Sequence, residues 1–298
     1  MTMNPSLIRP FARMRQLRQA GLAALTAPML VFGVAPAVGL GLGAGAAVAA
    51  ERAEIREFLQ VTGFDVAITS VQSQMKDAPV MLGLPEEEFA QNWQAQVADL
   101  YDEAKLQDLA MTMLEPNLSD KMREEAVAFY GSDLGQRLVA GENASHVEES
   151  SPEREAEAEA ILSDISKTRR AELERLAFGI DAQGVSARAV QDIQVRFLMA
   201  ASEAGLFEVE LDEGMLRAQM ATGYEALREE LRAANLAHAA RVYQEFSDEE
   251  IARYADALAE PEMQRVYELL NAVQYEVMAN RLERLAPRLA KLRQGQEI

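Results

Sequence analysis

A chain of 298 residues, 49% of them hydrophobic and 26% charged, has the composition of a folded globular protein and is long enough for two domains. Its formal net charge of -19 at pH 7 excludes the basic surface on which nucleic-acid binding depends. Because it has no cysteine and only two histidines, disulfides, thiolate metal sites and most multi-histidine metal centres are excluded, and we expect no metal ion and no other cofactor.

The first fifty residues have the composition of a secretory signal peptide. Four arginines precede an uncharged stretch at 19–50 that ends in small residues. Ala47 and Ala49 form the A-x-A pattern that signal peptidase recognises, and charged sequence begins at Glu51. We therefore expect residues 1–50 to be removed on export to the periplasm. The alternative is an uncleaved leader in the inner membrane, because the uncharged stretch is long enough to cross a bilayer.

From Glu51 onward, hydrophobic residues recur three and four positions apart, which predicts α-helices. The sequence Leu-Pro-Glu-Glu-Glu at 84–88 opens the first clear helix, because proline suits a first turn and acidic residues complement the positive end of the helix dipole. The hydrophobic stripe of this helix consists of Phe89, Trp93, Val97 and Leu100. Ser119 and Asp120 predict the N-cap of the next helix.

The most distinctive segment is FYGSDLGQRL at 129–138. Six of its residues carry a recognisable pattern: Phe129, Tyr130, Ser132, Gly135, Gln136 and Arg137. The pattern predicts that one helix ends at the aromatic pair, that the serine caps a second helix, and that the glycine permits close packing. The alternative interpretation is a recognition surface formed by Tyr130, Gln136 and Arg137.

These six residues resemble the hallmark of a family of exported bacterial proteins that is defined only as a domain of unknown function. The family pattern is FYxSPxGQ followed by a cation, and Asp133 stands here where the family has proline. LAEPEMQRV at 258–266 resembles a second, degenerate copy that keeps Pro261, Gln264 and Arg265. The resemblance implies an all-helical exported protein and implies no activity.

The two histidines lie in different contexts. His146 is flanked by Glu142, Glu148 and Glu149 in a stretch rich in serine and glutamate, which is typical of a solvated linker rather than of a preorganised metal site. His238 lies in a helical segment without acidic residues three or four positions away, which predicts a partly buried core residue. We therefore assign no metal-binding residue.

The second half has the same helical periodicity. Predicted helices cover residues 151–178, 186–204, 212–235 and 247–258, and a long helix follows Pro261. Ser247 and Glu250 predict a capping box, in which each side chain binds the other residue's backbone N–H.

Ordered matches between the halves indicate an internal duplication. Leu216, Met220, Tyr224 and Leu227 repeat the stripe of the helix that follows residue 84, at an offset of 127 residues. Ser247-Asp248 repeats Ser119-Asp120 at an offset of 128. The sequence therefore predicts an all-α protein with two related antiparallel helical-bundle units, at 51–147 and 148–298, that fold separately after a signal peptide at 1–50.

The residues favour a non-catalytic protein that acts through contacts with an unknown protein or envelope component, with no catalytic or cofactor-binding residue assigned. One alternative is a hydrolase of envelope polymers that uses a pair of carboxylates. However, no acidic residue has a sequence context hydrophobic enough to raise its pKa. A second alternative is a chaperone-like binder, because methionines such as Met199, Met215, Met220, Met263 and Met278 could line an adaptable groove. Core packing is the preferred role for these methionines.

Overall fold

The computed structural model describes residues 44–71, 98–148, 151–181, 184, 186–207 and 210–293, with side chains from residue 51 to residue 291. Most of the predicted leader, and Phe89, Trp93 and Val97 of the first predicted stripe, lie outside the described residues. Within them the regular structure is α-helical and no strand occurs, which confirms the predicted all-α class.

Twelve α-helices are delimited in this part of the chain. They are α1 (Ala44–Thr62), α2 (Phe64–Thr69), α3 (Glu103–Leu114), α4 (Asp120–Tyr130), α5 (Asp133–Val147), α6 (Pro152–Asp164), α7 (Lys167–Ile180), α8 (Ser186–Glu203), α9 (Glu213–Ala221), α10 (Tyr224–Val242), α11 (Asp248–Ala259) and α12 (Pro261–Arg293).

Side-chain caps explain where most of these helices begin. An N-cap oxygen accepts a hydrogen bond from a backbone N–H of the first turn at Asp102, Ser119, Ser132, Ser151, Ser166, Asp212 and Ser247. The predicted capping box is confirmed, since Ser247 Oγ accepts from Glu250 N and Glu250 Oε2 accepts from Ser247 N at 2.9 Å. Each such cap contributes about 1 kcal/mol to helix stability.

Two predicted helices are each divided into two in the structure. The helix predicted at 151–178 ends after Asp164, because Ser166 leaves the helical conformation and caps α7. The helix predicted at 212–235 is interrupted at Gly223, between α9 and α10. Periodicity alone did not reveal these breaks, because hydrophobic spacing continues across both of them.

The long helix α12 is the centre of the packing. Its 33 residues make it about 50 Å long. It packs most extensively against α8, and it also contacts α3 and α4 from the first half of the chain and α7 and α11 from the second. Arg196 of α8 joins it through ion pairs to Glu276 at 2.6 Å and to Glu283 at 2.7 Å.

The predicted boundary between residues 147 and 148 coincides with the end of α5. Buried hydrophobic residues on both sides of it belong to one cluster, which extends from Ile55 of α1 to Leu289 of α12. Two units of a duplicated chain can also fuse across a shared interface of this kind. Separate folding of the segments 51–147 and 148–298 therefore stays a prediction, which melting of the two fragments would test.

Arg169 stabilises the turn between α10 and α11. Its guanidinium donates hydrogen bonds to the carbonyl oxygens of Tyr243 and Phe246, at 2.5 and 2.8 Å, and to Asp248 Oδ1 at 2.9 Å. These bonds add to the backbone hydrogen bond that Phe246 N donates to Tyr243 O in the turn after α10. The guanidinium thereby ties α7 to the turn that leads from α10 into α11.

Candidate functional site

The segment 129–138 forms the turn between α4 and α5. Ser132 Oγ accepts a hydrogen bond from Gly135 N at 3.1 Å and donates one to Phe129 O at 2.6 Å. A Cβ atom on Gly135 would lie 2.5 Å from Tyr130 Cα and closer still to Phe129 O. The helix end, cap and close glycine contact predicted from the sequence therefore all occur here.

Three residues of the segment do not share one surface. Tyr130 is 2% exposed, whereas Gln136 and Arg137 are exposed. Arg137 lies 2.5 Å from Glu250 of α11 and 4.9 Å above the ring centroid of Phe246. A recognition surface that combines Tyr130 with the two polar residues is therefore excluded, and Arg137 joins α5 to α11 instead.

Four tyrosine hydroxyls meet one carboxyl group at the end of this turn. The hydroxyl of Tyr254 lies 2.9 Å from that of Tyr130 and 2.7 Å from that of Tyr267, and the latter two are also hydrogen-bonded to each other. Glu142 Oε1 accepts hydrogen bonds from Tyr243 at 2.6 Å and from Tyr254 at 3.0 Å. We call these five residues the tyrosine–glutamate cluster.

Burial sets the electrostatic state of Glu142 against its hydrogen bonds. Removal from water is the larger effect and raises the pKa of this carboxyl group above its usual range. The hydrogen bonds that Tyr243 and Tyr254 donate to Oε1 favour the charged form and act in the opposite direction. Glu142 is therefore a buried carboxyl group with a raised pKa that is held in place by two tyrosine hydroxyls.

This finding corrects the expectation that no acidic residue lies in a hydrophobic environment. Glu142 follows the buried residues Gly135, Leu138 and Val139 at helical spacing, so it lies on the core-facing side of α5. That spacing was a readable signal. It does not outweigh the linker-like composition of GENASHVEESS at 141–151, whereas in the structure α5 continues to Val147.

All five residues of the cluster line a cavity of about 530 Å³ between α5, α7, α10 and α12. Its wall combines hydrophobic residues such as Leu176 and Leu270 with polar residues such as Asn235 and Asn271. Several lining residues are exposed at its mouth, namely Glu174, Phe178, Arg228, Glu229 and Arg232. The lining therefore combines the buried polar groups of the cluster with charged side chains that are exposed to solvent.

Both histidines line this cavity. The prediction of a partly buried His238 is confirmed, but His146 lies in α5 and is half-buried, so its assignment to a solvated linker is wrong. Burial lowers the pKa of His146, and burial together with the charges of Arg241 and His146 lowers the pKa of His238 to about 4. In the described residues no group of three or more histidine or acidic side chains is placed to hold a metal ion.

His238 should make the protein lose stability on acidification. The unfolded chain binds a proton at His238 near pH 6.5, whereas the folded chain does so only near pH 4. The stabilisation present above pH 6.5 is therefore lost as the pH falls through this interval. We expect the melting temperature of the wild type to fall more steeply from pH 7 to about 4 than that of His238→Gln. If thermal melts showed the same decrease of melting temperature with pH in both proteins, this expectation would be contradicted.

Most methionines in the described part of the chain lie in the core. Met263 and Met278 are 1% and 6% exposed, and Met199 and Met220 pack against the hydrophobic cluster. Met215 is the exception, at 70% exposure. These positions agree with the core-packing interpretation and do not form a methionine-lined groove.

Comparison with known proteins relates one segment of the chain to a described family. Residues 104–164 match the sequence model of the family described as "Uncharacterized protein conserved in bacteria (DUF2059)". The match confirms the resemblance to an uncharacterised bacterial family, and it covers α3 to α6, including the turn at Gly135 and the carboxyl residue Glu142. No curated protein and no solved structure matches the chain.

Proposed function

We propose that the protein is a non-catalytic binding protein of the bacterial envelope, and that it holds a small molecule, or part of a larger envelope component, in the cavity between α5, α7, α10 and α12. The cavity itself carries the proposal. Its volume of about 530 Å³ lies within the range typical of small-molecule sites, and its wall combines hydrophobic surface with a few fixed polar groups. We propose no resident cofactor, no metal ion and no nucleic-acid partner.

Filling the cavity tests this proposal. Ala177 lines it, whereas Ala233 is exposed on α10 and does not. Three proteins are compared: the wild type, Ala177→Phe and Ala233→Phe. Each is incubated with the small-molecule and lipid fractions of the envelope, and native mass spectrometry then measures the mass of the protein with any bound molecule. We expect a bound molecule in the wild type and in Ala233→Phe, and none in folded Ala177→Phe. An empty wild type, or equal retention by all three proteins, would refute the proposal.

Glu142 favours one alternative function. Burial in the cavity raises the pKa of Glu142, as the pKa of a general acid is raised, so a hydrolase of envelope polymers that uses a carboxylate pair is the second candidate. Half-buried Asp181 also lines the cavity. Glu142→Gln separates the two functions, because an amide keeps the hydrogen bonding of a neutral carboxyl group but cannot transfer its proton. Loss of turnover with retained binding would identify an enzyme.

Export from the cytoplasm is part of the proposed function. It is supported by the A-x-A pattern of Ala47 and Ala49, which lie in the first turns of α1, and by the start of charged sequence at Glu51. No helix in the described part of the chain could span a membrane. We expect the exported protein to begin at Ala50 or Glu51, as read from its intact mass. A full-length species that resists carbonate extraction would support the membrane-anchored alternative.

We also propose that the two halves descend from one duplicated unit, with the second copy degenerate. The positions at which the helices begin support this proposal. Ser119 caps α4 and Ser247 caps α11, and these two serines are 128 residues apart. The helices α5 and α12 begin at Asp133 and Pro261, which are again 128 residues apart. The glutamine side chains at 136 and 264 each donate to a carbonyl oxygen at the preceding helix end. In this interpretation the tyrosine–glutamate cluster lies where the two copies meet.

A further inference from the structure

Two histidines on neighbouring helices lie in the wall of the cavity. His146 belongs to α5 and His238 to α10, and both side chains are half-buried. They lie close enough for a charge on His146 to lower the pKa of His238. Acidification therefore places positive charge on both sides of the contact between α5 and α10.

This contact is the least extensive one that α10 makes with its neighbouring helices in the described part of the chain. Helix α10 packs more extensively against α6, α7 and α8 than against α5. Two polar contacts join α5 to the end of α10. Tyr243 donates a hydrogen bond to Glu142 Oε1 at 2.6 Å, and Arg241 lies 2.8 Å from Glu148, the residue after α5. Few described bonds therefore oppose the separation of α5 from α10.

The charges around His238 oppose its protonation in the closed arrangement. Burial lowers its pKa most, and the charges of Arg241 and His146 lower it further, whereas Glu148 raises it. Glu148 already pairs with Arg241 and lies 3.8 Å from Arg154 of α6. A proton on His238 would therefore share its one acidic neighbour with two arginines.

The other helices around the cavity place their charges away from the histidines or in existing bonds. Of the two acidic residues that α7 and its end contribute to the lining, Glu174 is exposed and Asp181 accepts a hydrogen bond from Ser186 Oγ at 2.6 Å. Helices α8 and α12 contribute uncharged residues to the described lining. The remaining charged residues of the lining and the acidic residues of α6 are exposed, namely Arg228, Glu229, Arg232, Glu153, Glu155, Glu157, Glu159 and Asp164.

The direction of the pH effect follows from the two environments of His238. In the closed arrangement its pKa is about 4, whereas an imidazole in water has a pKa near 6.5. An open form that exposes His238 to water therefore binds a proton more readily than the closed form. Between pH 7 and pH 4.5 this difference shifts the equilibrium toward the open form by about 60-fold. Burial lowers the pKa of His146 as well, so it acts in the same direction.

We propose that the contact between α5 and α10 is a pH-operated gate of the cavity, which separates when His146 and His238 take up protons and closes again at neutral pH. The proposal concerns access to the cavity and does not depend on which molecule the cavity holds. A bound molecule would be released on acidification.

Distances between spin labels test the gate. Because the chain has no cysteine, labels can be attached at chosen positions of the mature protein. Ala144 of α5 and Ala234 of α10 are exposed, so Ala144→Cys combined with Ala234→Cys reports the separation of the two helices. We expect one distance in pulsed EPR at pH 7 and a second, longer one at pH 4.5, with a ratio of long to short that rises about 60-fold. A single unchanged distance would contradict the proposal.

A second label pair controls for unfolding by acid. Ala160 is exposed on α6, which packs more extensively against α10 than α5 does. The distance measured with Ala160→Cys and Ala234→Cys should therefore stay the same at pH 4.5. If both label pairs moved apart together, the acid would be unfolding the whole protein and the gate would be refuted.

Glutamine variants identify the groups that drive the separation. His238→Gln and the double variant His146→Gln/His238→Gln keep an uncharged polar side chain in the wall, so both should retain the short distance at pH 4.5. A wild-type proportion of the longer distance in His238→Gln would show that other groups respond to acid, and would overturn the proposal. The single variant decides this point even if the double variant does not fold.

Discussion

Replacing Gly135 with alanine is expected to lower the free energy of unfolding by about 2 to 3 kcal/mol, because the added methyl group enters space that the backbone occupies. The Cβ atom would lie 2.5 Å from Tyr130 Cα and 2.8 Å from Tyr130 C. Main-chain atoms at a helix end cannot turn away as a side chain can. The start of α5 must therefore move away from the end of α4, and this displaces Tyr130 from the cluster.

Gly141 provides the control within the same helix. A Cβ atom there would lie 3.8 Å from Val242 O, which is an ordinary van der Waals contact. Gly141→Ala should raise the free energy of unfolding by about 0.5 to 1 kcal/mol, because alanine has the higher helix propensity. Chemical denaturation of both variants measures the difference. Equal stability would show that the turn between α4 and α5 is not tightly packed in solution.

The second large effect is expected for Tyr254→Phe. Tyr254 is 1% exposed, and its hydroxyl contacts Tyr130, Tyr267 and Glu142. Removing that hydroxyl leaves buried partners unsatisfied, so the free energy of unfolding should fall by about 1 to 3 kcal/mol. Denaturant titration at neutral pH gives the value.

Tyr101→Phe is the matched control for that substitution. Tyr101 is 0% exposed, and its hydroxyl has no hydrogen-bond partner among the described residues. Removing an unsatisfied hydroxyl forfeits no hydrogen bond, so the variant should stay within about 0.5 kcal/mol of the wild type or exceed it. If both phenylalanine variants lost the same stability, the hydroxyl contacts of the cluster would have no special role in stabilising the fold.

Local chemistry explains which parts of the fold the sequence could predict. The caps at Ser119, Ser151 and Ser247 were predictable because a cap depends on residues within one helical turn. The break at Ser166 was not, since a serine in a helical pattern can either cap a new helix or point to solvent. Packing against neighbouring helices decides between the two states.

The candidate site depends on contacts that no local pattern contains. Tyr130 and Tyr254 are 124 positions apart, and Tyr243 and Glu142 are 101 positions apart. Glu142 was predictable as a residue on the inner face of α5, but the tyrosines of its cluster come from α4, α11, α12 and the end of α10. The role of Glu142 therefore becomes apparent only when these helices are assembled.

The position of α12 in the sequence has a consequence for biogenesis. This helix completes the packing of α3 and α4, which were synthesised long before it, and it is the last helix in the described part of the chain. A nascent chain therefore cannot complete the packing of α3 and α4 until α12 has also left the ribosome, although the early helices can already pack against one another.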